Sequence, residues 1–200
     1  MKIAVLADDD QVEELTSGII GIIWERITSL DETIPPADAY IILSETNTAI
    51  FKNITKPVLL NSVAHTLKEL NAPSNVLRIN GWKGFLSRKC WEVAGLVNEG
   101  AVEIFSALGK QILVVADEPG LVAARPIAMI INEAYFALEQ GVSTKSEIDT
   151  AMKLGTNYPF GPFEWAFIIG LHPIYDLLHL LSLSDTRYTP SPLLKKEAAV

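Results

Sequence analysis

The side chains that could carry acid–base or ligand chemistry are widely spaced in this sequence. The three histidines are His65, His172 and His179, and each is more typical of a surface or core position than of a general base. Three consecutive carboxylates, Asp8 to Asp10, follow the first apolar run. The sequence contains no Gly-x-x-x-x-Gly-Lys, His-Glu-x-x-His or Gly-x-Ser-x-Gly pattern. No phosphate-cradling loop, zinc-protease helix or nucleophile elbow is therefore predicted.

The composition is typical of a globular protein with one domain or two small ones. The chain has 200 residues and a formal net charge of −8, which opposes binding to nucleic acid or to an anionic membrane. No apolar run is long enough to span a membrane. The first apolar run reaches Asp8 too soon for a signal peptide, so we expect a cytoplasmic protein. The one cysteine, Cys90, excludes an internal disulfide, and we expect it to be half-buried; no metal site is predicted.

The first 116 residues alternate short β-branched runs with helical or turn segments, which predicts an α/β layer with a parallel sheet. The acidic turn from Asp8 to Asp10 predicts an exposed helix start, because carboxylates stabilise the positive end of the helix dipole. The runs and segments on which this prediction depends are residues 2–7, 10–17, 22–29, 39–43, 58–60, 76–79 and 112–115.

From residue 117 onward the pattern is helical. Pro119-Gly120 forces a turn after the last β-branched run. Thr144 and Glu147 have the spacing of a capping box, and Pro162 is well placed as the first residue of a helix. The predicted helices cover residues 127–138, 144–155, 163–169 and 174–183.

A series of short motifs runs through this helical part in a fixed order. The chain reads Pro119-Gly-Leu-Val-Ala-Ala-Arg125 where a known family has Pro-Gly-Phe-x-x-Asn-Arg. The later motifs are Ile-Asn-Glu-Ala (131–134), Glu-x-Gly-Val (139–142), Ile-Asp-x-Ala-Met-x-Leu-Gly (148–155), Tyr-Pro-x-Gly-Pro-Phe-Glu (158–164) and Pro-Ser-Pro-Leu-Leu-Lys (190–195). Together they resemble the C-terminal domain of the 3-hydroxyacyl-CoA dehydrogenases over about residues 110–196.

The resemblance implies an α/β plus all-α fold. An abbreviated Rossmann-like parallel-sheet domain would occupy residues 1–116, and an all-helical domain like the C-terminal domain of these dehydrogenases would occupy residues 117–200. In the family the helical domain forms the dimer, so a homodimer is expected. An acyl-CoA or another small molecule is the expected ligand.

NAD is the cofactor that the resemblance implies. In a Rossmann domain the first strand is followed by Gly-x-Gly-x-x-Gly, which lets a helix N-terminus approach the pyrophosphate. The corresponding cofactor-binding positions are Ala7, Asp8, Asp9 and Asp10, whose side chains block that approach and whose charge opposes an anion. No clear second strand precedes a ribose-binding acid, for which Glu25 and Asp31 are the candidates.

The catalytic positions of the family can be compared residue by residue. A histidine takes the hydroxyl proton, and a glutamate twelve positions later orients its imidazole. Glu92 stands at the glutamate position, and Asn80 replaces the histidine. Asparagine forms hydrogen bonds but cannot exchange a proton near neutral pH. Asn61 keeps a substrate-binding position, whereas Ala124 replaces an active-site asparagine.

Two functions are compatible with these residues. One is a 3-hydroxyacyl-CoA dehydrogenase-like protein of acyl-CoA and fatty-acid metabolism, with impaired or lost NAD-dependent hydride transfer, which binds its ligand as a dimer. The alternative is an active NAD-dependent oxidoreductase that acts on a 3-hydroxyacyl-CoA or a small hydroxy acid through a non-standard site. Binding of a nicotinamide nucleotide distinguishes the two.

Overall fold

The computed structural model describes residues 1–30, 34–44, 46 and 48–199. The chain divides into two compact units between Leu121 and Val122. The sequence placed the boundary near Asp117. The α/β unit continues past this residue because the Asp117 carboxylate is bound within it, 2.5 Å from the guanidinium of Arg78.

A seven-stranded sheet forms the α/β unit, in the order β2-β1-β3-β4-β5-β6-β7. All neighbouring strands are parallel except β5 and β6. This mainly parallel sheet, followed by a helical unit, confirms the predicted fold class, although the sequence pattern does not predict β6. The strands are β1 (Lys2–Leu6), β2 (Ile23–Arg26), β3 (Ala39–Ile42), β4 (Val58–Asn61), β5 (Val76–Ile79), β6 (Cys90–Ala94) and β7 (Gln111–Val114).

Strand β2 lies within the predicted run 22–29 and ends in Arg26 rather than in an acid. It pairs in parallel with β1 at the edge of the sheet. Its pattern is weak because an edge strand is only partly covered, and Ile23 is 66% exposed. Glu25 lies within this strand, which ends at Arg26, and Asp31 lies outside the described residues.

The sheet is covered on both faces. Helices α1 (Asp9–Thr16) and α2 (Glu99–Ala107) contribute Leu15 and Phe105 to the core cluster on one face. A 3-10 helix (Thr48–Asn53) contributes Phe51 to the cluster on the other. Burial on both faces explains why the central strands are continuous apolar runs rather than alternating patterns.

Strand order reverses at β1, which lies between β2 and β3. In open parallel sheets, ligands bind outside the carboxyl ends of the strands at such a switch point. Helix α1 begins at this edge, with Asp8 as its N-cap. The edge is therefore where the fold predicts a ligand.

The second unit is a helical bundle. The capping box of Thr144 and Glu147 and the position of Pro162 as the first residue of α5 are both confirmed. The last long helix begins at Leu171 rather than at Ile174, because a proline is tolerated in the first turn, where its missing N–H has no partner. The helices are α3 (Ala124–Glu139), α4 (Lys145–Thr156), α5 (Pro162–Ile169), α6 (Leu171–Ser182) and α7 (Pro192–Ala198).

No single helix in the described ranges is long and apolar enough to cross a membrane. Helices α5 and α6 reach that length and composition only as a pair, and the chain bends by 102° between them.

Candidate functional site

Three of the candidate site residues lie on neighbouring strands. Asn61 is the last residue of β4 and pairs with Ile79 of β5. Asn80 follows β5 directly. Because β5 and β6 run antiparallel with Ile79 opposite Val93, the next step of the register sets Asn80 opposite Glu92. The fold therefore brings Asn61, Asn80 and Glu92 together near the carboxyl ends of β4 and β5.

The two asparagines differ in what their amides bind. Asn61 donates to the carbonyl of Leu43 (3.1 Å) and accepts from the N–H of Gly81 (3.0 Å), so it holds backbone. Asn80 is 7% exposed, and its Oδ1 accepts from the N–H of Trp82 (3.3 Å). Its Nδ2 is buried with no hydrogen-bond partner among the described residues. Since an unpaired buried donor costs about 1–3 kcal/mol, this amide favours an incoming acceptor oxygen.

The acidic turn after β1 caps α1. Asp8 accepts from the N–H of Gln11 (2.9 Å), and the Gln11 side chain accepts from the N–H of Asp8 (3.3 Å). This capping box confirms the predicted exposed helix start. It also places a carboxylate at the helix N-terminus, where a dinucleotide-binding domain holds pyrophosphate. A cofactor-binding role for Ala7, Asp8, Asp9 and Asp10 stays a prediction.

Two cations offset part of the negative charge of this turn. Arg26 lies 2.5 Å from Asp9 and donates to the carbonyl of Ala7 (3.3 Å). The ammonium of Lys83 lies 2.8 Å from Asp10 and 3.2 Å from Asp8.

The acid proposed for the ribose is used elsewhere. Glu25 lies 2.7 Å from Lys2 and is followed by Arg26, so β2 ends in a cation. The usual ribose-binding acid is thus absent from the end of this strand.

Several other candidates lie outside this cluster. Cys90 is exposed at the start of β6, not half-buried as expected. His65 is exposed in a turn, as is typical of a surface histidine. His172 lies 3.3 Å from Asp176, and no group of three His, Cys, Asp or Glu residues that could hold a metal occurs within the described ranges. Ala124, the first residue of α3, is buried and has no functional group.

In the helical unit, two of the matching motifs meet at Asp149. This residue is 8% exposed and accepts from the N–H of Phe163 (2.8 Å). A Cβ at Gly161 would overlap the Asp149 side chain. The Tyr-Pro-x-Gly-Pro-Phe motif therefore needs a glycine at this position, because a larger residue would collide with the aspartate of the Ile-Asp-x-Ala motif.

Burial raises the pKa of the Asp149 carboxyl, although the N–H of Phe163 partly opposes this. A raised pKa means that the folded state binds more protons than the unfolded state between the two pKa values, so stability falls as pH rises through that window. We expect Asp149→Asn to remove this pH dependence while keeping the acceptor for Phe163. Asp149→Ala should lower the free energy of unfolding by about 1–3 kcal/mol, because the N–H of Phe163 is left unpaired. Urea unfolding of both variants at pH 4 and pH 7 measures the difference, and a wild-type-like pH profile in Asp149→Asn would contradict it.

A second pair of motifs meets at Asn132, which is 2% exposed. Its amide donates to the carbonyl of Thr189 (2.9 Å) and accepts from the N–H of Ser191 (2.8 Å). Ser191 in turn caps α7 by accepting from the N–H of Leu194 (3.0 Å). The residues of these motifs contact one another and stabilise the helical unit. The motifs are therefore explained by the fold of this unit and do not by themselves indicate an activity.

Comparison with known proteins supports the same division. The model of the 3-hydroxyacyl-CoA dehydrogenase C-terminal domain matches residues 120–199. The 3-hydroxyadipyl-CoA dehydrogenase of Escherichia coli is 44% identical over 100 residues, which are 49% of this chain and 21% of that protein. A 3-hydroxybutyryl-CoA dehydrogenase of Bradyrhizobium diazoefficiens is 41% identical over 100 residues, 49% of this chain and 34% of the relative. The matches span about a third or less of these relatives.

Solved structures extend the likeness beyond the helical unit. The (S)-3-hydroxybutyryl-CoA dehydrogenase PaaH1 of Ralstonia eutropha aligns with a TM-score of 0.73 at 18% identity, covering 99% of this chain and 93% of that one. The 3-hydroxybutyryl-CoA dehydrogenase of E. coli K12 aligns with a TM-score of 0.57 at 32% identity, covering 81% of this chain and 32% of that one.

The sheet and the helical unit define a two-unit protein with a dehydrogenase fold. Over residues 120–199 the chain matches the C-terminal domain of the 3-hydroxyacyl-CoA dehydrogenases.

Proposed function

We propose that this chain is a 3-hydroxyacyl-CoA dehydrogenase-like protein of acyl-CoA metabolism that binds an acyl-CoA or a related small molecule and has lost NAD-dependent hydride transfer. The observation that carries the proposal is that an amide, Asn80, directly follows β5 at the position where the resemblance places the base of the family. An amide cannot take a hydroxyl proton. Glu92 then has no imidazole to orient.

The nucleotide side of the edge supports the same proposal. The N-terminus of α1 is capped by the carboxylate of Asp8, and β2 ends in Arg26 rather than in an acid. A pyrophosphate would displace a carboxylate that already satisfies the helix N-terminus. We therefore expect this chain to bind NAD only weakly in the usual mode.

At the carboxyl ends of β4 and β5, the amide of Asn80 can bind a ligand without taking part in catalysis. The buried Nδ2 of Asn80 is a donor for an acceptor oxygen such as the carbonyl of a thioester. A hydrogen bond there would relieve the unpaired donor, and this supports an acyl-CoA as the ligand class.

Calorimetric titration with NAD⁺, NADH and acetoacetyl-CoA tests the proposal. We expect binding of acetoacetyl-CoA and no micromolar binding of either nucleotide. Asn80→Ala should lower the affinity for acetoacetyl-CoA about tenfold, which is the effect of one hydrogen bond. Glu13→Gln, a change at an exposed position of α1, should leave that affinity unchanged.

Restoring the histidine alone is expected to leave the protein inactive. Asn80→His supplies a base, but the carboxylate turn from Asp8 to Asp10 still opposes the nucleotide. The readout is NADH formation or consumption with a 3-hydroxyacyl-CoA or acetoacetyl-CoA. Turnover in Asn80→His, or micromolar NAD⁺ binding with turnover in the wild type, would favour the active oxidoreductase instead.

We also propose that the chain forms a homodimer through its helical unit. Phe167 of α5 is 90% exposed, on a helix in which Glu164 is the only charged residue. Phe160, Phe163 and Phe167 line an open groove of about 560 Å³. This aromatic surface is suited to contact a second copy.

Phe167→Glu is expected to convert the dimer to a monomer, because a charge would be buried in the contact. Leu183 is a matched control, since it is 73% exposed on the same unit and lies outside the residues that line the groove. Leu183→Glu should keep the dimer mass in light scattering at micromolar concentration. A monomeric wild-type protein would contradict the proposal.

A further inference from the structure

The segment Gly81–Arg88 follows β5 and contacts α1 beside the acidic turn. We infer that this segment is an intramolecular strap that closes the carboxyl edge of the sheet over Asn80, and that Glu14 holds it closed. The inference concerns regulation of the edge named in the proposed function. It rests on that proposal only in taking this edge as the ligand site.

Glu14 fixes the strap at two points. One carboxylate oxygen accepts from the N–H of Gly84 and the other from the N–H of Ser87, both at 2.8 Å. Hydrogen bonds to an ionised acceptor are about twice as strong as neutral ones. Gly84 has a φ of 84°, which a glycine adopts without strain and which turns the strap toward the helix.

Lys83 fixes the strap at a third point through its ion pairs with Asp8 and Asp10. The hydrogen bond to Asp10 raises the pKa of Lys83, in part against desolvation. These groups are partly exposed, so each ion pair stabilises the contact only weakly. Their main effect is to place an ammonium of the chain itself at the helix N-terminus, beside the Asp8 cap.

The two ends of the strap are anchored by close packing. Gly81 accepts from the side chain of Gln11 (3.2 Å), and a Cβ at Gly81 would overlap Asn61 and Leu43. Phe85 and Leu86 are 3% and 0% exposed. The part that can open without unfolding the core is therefore the turn around Lys83 and Gly84.

Asn80 lies at the base of this strap, and its side chain accepts from the N–H of Trp82 (3.3 Å). It is 7% exposed in the closed arrangement. In the inferred closure, a ligand reaches the free donor of Asn80 only after the turn around Lys83 and Gly84 opens. Glu14 therefore controls access to Asn80 without contacting the ligand.

Thiol labelling tests the closure directly. In a Cys90→Ser background, which removes the exposed natural thiol, Asn80→Cys should react slowly with a thiol reagent. Adding Glu14→Gln should speed labelling about ten- to a hundredfold, as expected for an opening equilibrium that loses a hydrogen bond to a charged group. Glu13→Gln, the same charge change at an exposed position of the same helix, should leave the rate unchanged.

Amide exchange supplies a second readout that leaves Asn80 intact. The N–H of Gly84 should lose protection in Glu14→Gln and keep it in Glu13→Gln, while the N–H of Val93 in the sheet stays protected in both. Equal protection in the two variants would overturn the strap, and so would labelling of Asn80→Cys at the rate of a free thiol while Glu14 is intact. Neither readout uses a ligand, so a failure of acetoacetyl-CoA to bind would count only against the proposed function.

Discussion

Asp117→Ala is expected to destabilise the α/β unit by about 3–5 kcal/mol, because it leaves a buried guanidinium without its counter-ion. Arg78 lies in β5 and is 0% exposed. Its Nη1 is 2.5 Å from the Asp117 carboxylate. Burial lowers the pKa of Arg78, but a guanidinium stays protonated in proteins. The charge therefore remains buried when the carboxylate is removed.

The effect extends beyond the ion pair because Asp117 joins separate segments. Its carboxylate also accepts from the N–H of Leu67 (3.1 Å) and from that of Lys68 (3.4 Å). Arg78 donates to the carbonyl of Glu118 (2.7 Å). Loss of Asp117 thus loosens the turn after β4 together with the segment after β7.

Asp9→Ala is the matched control. Asp9 and Arg26 are also 2.5 Å apart, but their side chains are 86% and 50% exposed, so the expected loss is about 0–1 kcal/mol. Urea unfolding followed by the fluorescence of Trp82 and Trp91, both buried in the α/β unit, measures the two variants. Similar losses in Asp117→Ala and Asp9→Ala would show that the Arg78 charge is hydrated after all.

The parts of the fold that the sequence predicted are those with a strong local pattern. Strands β1, β3 and β5 are buried on both faces and appear as short apolar runs. Helices α4 and α5 were marked by a capping box and by an initial proline. Strand β6 was missed because Glu92 and the exposed Cys90 interrupt its apolar pattern. Strand β2 lies within the predicted run 22–29, but its pattern is weak because an edge strand is only partly buried.

The candidate site could be predicted only in part, because some of its contacts have no local sequence pattern. The family resemblance identified Asn80 and Glu92 as a pair, and each of them is next in sequence to a residue of the antiparallel pair Ile79 and Val93. The bonds from Glu14 to Gly84 and Ser87 join residues 70 and 73 positions apart and have no local signature. Arg78 is similar, since an arginine in a strand gives no sign that it is fully buried until its partner Asp117 is located.

Gly161→Ala is expected to destabilise the helical unit by about 1–3 kcal/mol or more, the usual effect of overpacking. The backbone at Gly161 has a φ of −74°, which alanine adopts freely, so the conformation itself adds no strain. The effect comes from the new Cβ, which would overlap the Asp149 side chain. Asp149 cannot retreat without releasing the N–H of Phe163 at the start of α5.

Gly155→Ala should have the opposite sign. Gly155 lies in α4, and a Cβ there would meet nothing within 4 Å, so alanine should stabilise the helix by about 0.5–1 kcal/mol. Thermal unfolding of the two variants compares the same chemical change in one unit. If Gly161→Ala were neutral, Asp149 would have room to move. The joint presence of Ile-Asp-x-Ala and Tyr-Pro-x-Gly-Pro-Phe would then need a reason other than packing, and a functional role for Asp149 would become the stronger interpretation.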